Sequence, residues 1–321
     1  MNLHISTGPH IRTKTDTRSL MLDVLIALLP AAGMAIYYWG YHAIHIMLVS
    51  VGCAVLSELI WQKAAKRPVR IGDLSAAVTG LLLALNMPST VPLWVPAIGS
   101  VFAIVIVKQL FGGIGCNFLN PALAARAVLL TSWPKYMASA LLPIRTLGET
   151  AAQTGGLGVD AVTAATPLSG ASGWSLMDMF LGNIPGAIGE VCKAAILLGL
   201  LYLLVRKVIS PVIPCVFVAT AALFTWILGG DVLKDLLSGG LLFGAVFMAT
   251  DYVTNPMLRR GQAIYAFGCG LICVLIRKLG AYPEGVTYAI LLMNIATPLI
   301  DRSLKRRVYG HQKKGEVKQN V

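Results

Sequence analysis

Three short stretches of this chain carry residues whose type and spacing suit chemistry. The first is Asp160-Ala-Val-Thr163-Ala-Ala165-Thr166, two hydroxyls three residues apart, set among methyl-sized side chains behind a carboxylate. Asp and Thr in this pattern serve two ends. They cap local backbone N–H groups ahead of Pro167, or they present a hydroxyl that an enzyme can reach with a bulky donor because nothing large shields it. The second is Phe111-Gly-Gly113-Ile-Gly115-Cys116-Asn117-Phe-Leu-Asn120-Pro121, where glycines allow a tight turn and two carboxamides offer paired donors and acceptors. The third is Phe247-Met-Ala-Thr250-Asp251-Tyr-Val-Thr254-Asn255-Pro256, a carboxylate at a helix-breaking sequence.

The elements that hold these stretches are apolar. Of 321 residues, 56% are hydrophobic and 12% charged, and the mean hydropathy is +0.74. So few charges do not cover a water-facing surface of this size, which predicts an integral membrane protein. A helix needs about 20 apolar residues to cross about 30 Å of hydrocarbon. Runs of that kind predict ten spans, near 21–39, 43–61, 73–88, 92–110, 117–132, 187–205, 211–228, 237–252, 262–279 and 285–300. The third, fifth and eighth carry Gly, Asn or Pro near one end and read as broken helices, tolerated where protein or a cavity covers them.

With an even number of spans both termini share a side. That side collects 19 of the 26 Lys and Arg, including Arg67, Arg70, Lys108, Arg206 and the tail from Arg302 to Lys318. The excess predicts cytoplasmic termini, and nucleic acid binding is not expected. The resulting organisation is an N-terminal segment 1–20, a first membrane half 21–132, an outer loop 133–186, a second half 187–300 and a basic tail 301–321. The outer loop is long, rich in Gly, Ser, Thr and Ala, and holds the Asp160–Thr166 stretch. A weak internal likeness, Gly80 to Pro92 laid over Gly244 to Pro256, falls in two five-span halves that must face the membrane in opposite senses. That is the plan of inverted-repeat transporters.

Charges in or at the ends of spans are Asp23, Glu58, Asp73, Arg126, Lys193 and Asp251, each costly in lipid unless paired or wet. Asp23, Asp73 and Asp251 are expected near the cytoplasmic interface as caps or ion partners. Asp251, inside the broken-helix stretch, is the strongest candidate for ion coupling. The six cysteines, Cys53, Cys116, Cys192, Cys215, Cys269 and Cys273, read as compact apolar residues rather than metal ligands. The five histidines lie near ends and interfaces.

Taken together, the three stretches resemble the D-subunit family of Rnf electron-transport complexes, relatives of the B subunit of the sodium-pumping NADH:quinone reductase. The likeness runs over nearly the whole chain. Asp160-Ala-Val-Thr163-Ala-Ala165-Thr166 is similar to a motif whose last Thr receives FMN through a phosphoester bond from a flavin transferase outside the cytoplasm. Ala164 stands where that motif more often has Gly. The resemblance implies covalent FMN on Thr166 and a urea-transporter-like all-α fold of two inverted five-helix repeats. It also implies a place in the bacterial cytoplasmic membrane, within a chain linking ferredoxin and NAD to sodium or proton translocation. A second, noncovalent flavin, riboflavin or FMN, is implied near Gly113, Gly115, Asn117 and Asn120. The chain shows neither a dinucleotide fingerprint nor Cys-x-x-Cys clusters, so iron–sulfur, NADH-binding and other membrane subunits are expected partners. A solute channel or transporter on the same scaffold is the alternative, because fold alone does not decide function.

Overall fold

The computed structural model describes residues 16–137, 174–280 and 285–304. These are helical, without strands; the one bridge pairs Pro88 with Ala187. In chain order the helices are α1 (Thr17–Ala64), α2 (Ser75–Leu85), α3 (Trp94–Val101), α4 (Pro121–Ser132), α5 (Pro134–Met137), α6 (Leu176–Leu181) and α7 (Lys193–Val205). There follow α8 (Val212–Ile227), α9 (Val232–Leu237), α10 (Leu241–Phe243), α11 (Arg259–Leu279) and α12 (Val286–Ser303). Two π-helical stretches continue α3 and α10, at Phe102–Gln109 and Gly244–Met248.

Helix α1 starts on a reciprocal cap: Asp16 accepts from the Thr17 N–H at 2.8 Å, and Ser19 Oγ accepts from the Asp16 N–H at 3.2 Å. It is two helices joined at Gly40, whose φ of 60° and ψ of −140° end the first and begin the second. Glycine adopts that backbone without a Cβ penalty. The predicted spans 21–39 and 43–61 are these two arms.

Small residues let the helices approach. A Cβ on Gly80 of α2 would stand 2.8 Å from the Val51 Cα of α1, and Ser50 Oγ donates to Gly80 O at 2.7 Å while meeting Ser100 Oγ at 2.9 Å. Gly270 of α11 is likewise closed in by Thr220 and Phe217 of α8. Such contacts replace the hydrophobic drive that apolar surroundings remove. Outward, large apolar side chains lie bare: Leu29, Leu48, Ile60, Trp226 and Leu299 are each more than half exposed.

Two of the described helices, Thr17–Ala64 and Arg259–Leu279, are long and apolar enough by themselves to cross a membrane. Three of the others are clearly shorter than the sequence predicts, for local reasons, whereas Val212–Ile227 and Val286–Ser303 fill their predicted lengths. The expected 117–132 span becomes α4 alone, because Asn120 caps it and Pro121 occupies the first turn. The expected 187–205 span begins only at Lys193, since the preceding segment is irregular and packs its backbone against the end of α2: Ile188 N–H donates to Met87 O at 2.9 Å and Gly189 N–H to Leu85 O at 2.7 Å. The 237–252 span contracts to residues 241–248.

Candidate functional site

After the π-helical Phe102–Gln109 the chain turns through Gly112, Gly113 and Gly115, all at positive φ (124°, 97° and 88°). This backbone favours glycine, so the turn follows directly from the Gly-Gly-Ile-Gly sequence. Asn120 then ends it. Its Oδ1 accepts from the Ala122 and Leu123 N–H groups at 3.0 and 3.3 Å, and its Nδ2 donates to Met248 O at 3.2 Å. With its carboxamide turned about, Asn294 accepts from the Asn120 N–H at 3.2 Å and donates to the Tyr265 hydroxyl. Asn120 is therefore a helix cap that also ties α4 to the second π-helical stretch. Asn117 is less committed: its Nδ2 donates only to Leu119 O, at 3.0 Å.

Asn117 and Asn120 line a cavity of about 90 Å³ together with Thr79, Lys108, Thr250 and Asp251. The Asp251 carboxylate is thinly satisfied, accepting from the Val253 N–H and the Thr254 hydroxyl at 3.4 Å each. It forms no ion pair among the described residues. Most of the remaining lining is apolar, including Met21, Val24, Val78, Leu82 and Phe247; the carboxylate, hydroxyl and carboxamide oxygens set in it are hard donors of the kind that meet a small cation or a proton. The Asn120 amide is already bonded on both of its ends, so of the two carboxamides expected to meet a noncovalent flavin, Asn117 is the less committed.

The other charges in spans are each accounted for. Asp23 accepts from Tyr202 Oη at 2.9 Å and Arg206 Nε at 3.3 Å. Asp73 caps α2, accepting from the Ser75 N–H at 2.9 Å and Ser75 Oγ at 2.7 Å. Lys108, expected near the end of the 92–110 span and counted with the basic residues of the cytoplasmic side, lies instead among buried groups. It is 3% exposed, and its Nζ donates to Glu58 Oε1 and Oε2 at 3.1 and 3.0 Å and to Ser75 Oγ at 2.6 Å. Gln109 and Gln62 add donors to the same carboxylate at 2.6 and 3.2 Å. Lys108 drops out of the topology count because the π-helical turn carries it inward.

A second polar cluster fastens the irregular segment before α7. Arg126 Nη1 donates to Asn86 Oδ1 at 2.7 Å and to Glu190 Oε1 at 2.9 Å. Lys193 Nζ donates to the carbonyls of Glu190 and Gly239, the latter at 2.8 Å. Asn86 reaches across to Met248 Sδ at 3.4 Å. Sequence reasoning picked out Arg126 and Lys193 without a partner and passed over Glu190. A carboxylate in the apolar run Gly-Ala-Ile-Gly-Glu-Val was the available signal.

Cys192, Cys269 and Cys273 are buried, Cys53 is half-buried, and Cys116 and Cys215 are exposed. His42 and His45 are surface groups just after the Gly40 turn. Asp160, Thr163, Ala165 and Thr166 lie outside the described residues.

The profile of the NQR2, RnfD, RnfE family matches residues 4–310. Among curated proteins, the chain is 48% identical to the D subunit of the Na(+)-translocating ferredoxin:NAD(+) oxidoreductase complex of Acetobacterium woodii, over 97% of this chain and 96% of that one. It is 40% identical to the D subunit of the proton-translocating ferredoxin:NAD(+) oxidoreductase complex of Clostridium ljungdahlii, over 95% and 96%. The D subunit of an ion-translocating oxidoreductase complex of Escherichia coli is 37% identical, over 98% and 100%. Matches that run almost end to end in both partners admit one conclusion: this chain belongs to the NQR2, RnfD, RnfE family.

Proposed function

We propose that this chain is a membrane subunit of an ion-translocating ferredoxin:NAD oxidoreductase complex, carrying FMN ester-linked to Thr166. The observation that carries the reading is the 48% identity to the D subunit of such a complex across nearly the full length of both chains. The Asp160–Thr166 motif supports the attachment point. In this reading the helices form ten spans in two inverted halves, both termini are cytoplasmic, and the 133–186 loop stands outside, where a flavin transferase reaches it. Bound FMN supplies one-electron and two-electron transfer. The chain's own part is to present the Thr166 hydroxyl beside the small Ala164 and Ala165 in sequence, within the motif that Asp160 and Thr163 complete. It also keeps Asp251 in the lining of a small cavity as the ion-coupling carboxylate. Iron–sulfur and NADH-binding partners supply the two ends of the electron path, so the subunit is not active alone.

The test is in-gel flavin fluorescence of the denatured subunit, purified from cells that also express the transferase and the partner subunits. Thr166→Ala removes the one oxygen that forms the ester and should abolish the signal. Thr163→Ala should keep most of it. Undiminished fluorescence in Thr166→Ala rejects the attachment point. No flavin in the wild type favours the solute channel or transporter.

A further inference from the structure

Beside the Glu58–Lys108 pair lies a second cavity, of about 180 Å³, whose lining includes Gln62, Arg67, Arg70, Asp73, Gln109 and Gly113. Its two glutamines are spent on the Glu58 carboxylate. The Gln62 carbonyl oxygen is also taken, by the Arg70 N–H at 2.9 Å. Its charged groups are not spent. Among the described residues neither the Arg67 nor the Arg70 guanidinium has a hydrogen bond or ion pair, and Asp73 uses only Oδ1, to hold Ser75. The cavity therefore offers two cationic forks and one free carboxylate oxygen. They share one polar space without neutralising one another.

The surroundings are of a different kind. The glycines that line the cavity, Gly112 and Gly113, directly follow Leu110 and Phe111, which are 57% and 50% exposed. Phe111 packs edge-on against Phe118 with ring centroids 4.8 Å apart, and Phe118 is 45% exposed. A cavity lined by charged and amide side chains, with exposed aromatic and aliphatic residues next in sequence to its glycines, asks for a ligand that is ionic at one end and hydrocarbon at the other.

We propose that the cavity between the α1–α2 connection and the Gly112–Gly113 turn binds the headgroup of a phosphatidylethanolamine molecule. The phosphate takes the Arg67 and Arg70 guanidiniums, whose planar forks suit phosphate oxygens. The primary ammonium takes Asp73 Oδ2, and the acyl chains lie along Leu110, Phe111 and Phe118. Basic pockets beside membrane helices are known recognition sites for phospholipid headgroups. The carboxylate is what directs this one toward a zwitterion with a small, hydrogen-bonding amine. Phosphatidylcholine has no N–H to donate, and phosphatidylglycerol brings no cation. The inference rests on the chain lying in a bilayer and is independent of the flavin reading.

Native mass spectrometry of the full-length chain, purified in detergent and exposed to equal amounts of phosphatidylethanolamine, phosphatidylcholine and phosphatidylglycerol, tests it. The wild type should retain one phosphatidylethanolamine in preference to the other two. Joint Arg67→Gln and Arg70→Gln should lower that retention by about tenfold, through loss of the charge-assisted bonds. Asp73→Asn keeps an acceptor for the α2 cap, and so keeps the fold while erasing the preference for ethanolamine over choline. Equal retention of all three lipids by the wild type overturns the proposal, as does unchanged retention in the arginine double variant. Soluble phosphoethanolamine should not displace the lipid at matched concentration. If it does, the site recognises a free metabolite and the lipid assignment falls.

Discussion

Glu190 and Glu58 are both buried carboxylates bonded to a cation, at 2% and 1% exposure, but their surroundings differ. Glu190 joins parts of the chain far apart in sequence: Arg126 of α4 holds its side chain, Lys193 holds its carbonyl, and Gly240 leaves room beside it. Glu58 is held within the first half of the chain by four side-chain donor contacts from Gln62, Lys108 and Gln109. It also borders the 180 Å³ cavity, whereas neither described cavity is lined by Arg126 or Glu190. Burial alone does not rank the two pairs. What ranks them is whether a stranded charge would find water or other donors.

The largest effect is therefore expected at the joint. Glu190→Gln leaves Arg126 charged with a neutral amide in place of its carboxylate partner, and should cost about 3–5 kcal/mol, the usual result of breaking a buried pair from one side. Unfolding of the detergent-solubilised protein, followed by circular dichroism, measures it. Arg126→Met together with Glu190→Gln should recover much of the loss. A double variant as unstable as the sum of the singles breaks the comparison.

Glu58→Gln should cost less, about 1–3 kcal/mol, because Lys108 keeps Ser75 as an acceptor and water in the adjoining cavity reaches the site. The same unfolding assay decides it. A loss equal to that of Glu190→Gln would mean the cavity does not relieve the charge.

Asn120 and Asn117 sharpen the contrast at smaller scale. Asn120→Ala removes a cap and should cost about 1 kcal/mol, or somewhat more because the bond to Met248 goes with it. Asn117→Ala, which loses one local bond, should stay within about 0.5 kcal/mol. If the order inverts, the tie between α4 and the second π-helical stretch contributes little.

These comparisons also show how far the sequence reaches. The apolar runs located most helices within a few residues, because hydropathy reports which segments avoid water. The two arms of α1, predicted at 21–39 and 43–61, meet at a glycine as Gly40 allows. Helix lengths were less legible, since Asn120 capping α4 and the 187–190 segment docking on α2 are tertiary events in a continuous apolar pattern. Asp23 and Asp73 were readable as interfacial partners and caps from their position beside basic and Ser residues. Lys108 was not, because its neighbours in sequence look like the end of a span. Only the π-helical stretch and the distant Glu58 explain its burial. Glu190 was missed for a related reason: its partner lies 64 positions away, and no periodicity connects the two.

The π-helical stretch at Phe102–Gln109 has a consequence for length rather than composition. Its wide turn, marked by the Leu110 N–H donating to Val105 O at 3.0 Å, accommodates more chain than an α-helix fits into the same rise. Each residue of an α-helix advances about 100° around the axis, so removing one residue between Phe102 and Val107 would swing Lys108 and Gln109 by about that angle, away from Glu58. Substitutions on the outer face of this stretch should pass almost unnoticed, whereas a single-codon deletion anywhere within it would dismantle the cluster. Among relatives of this chain, the stretch should therefore vary in identity and hold its residue count fixed.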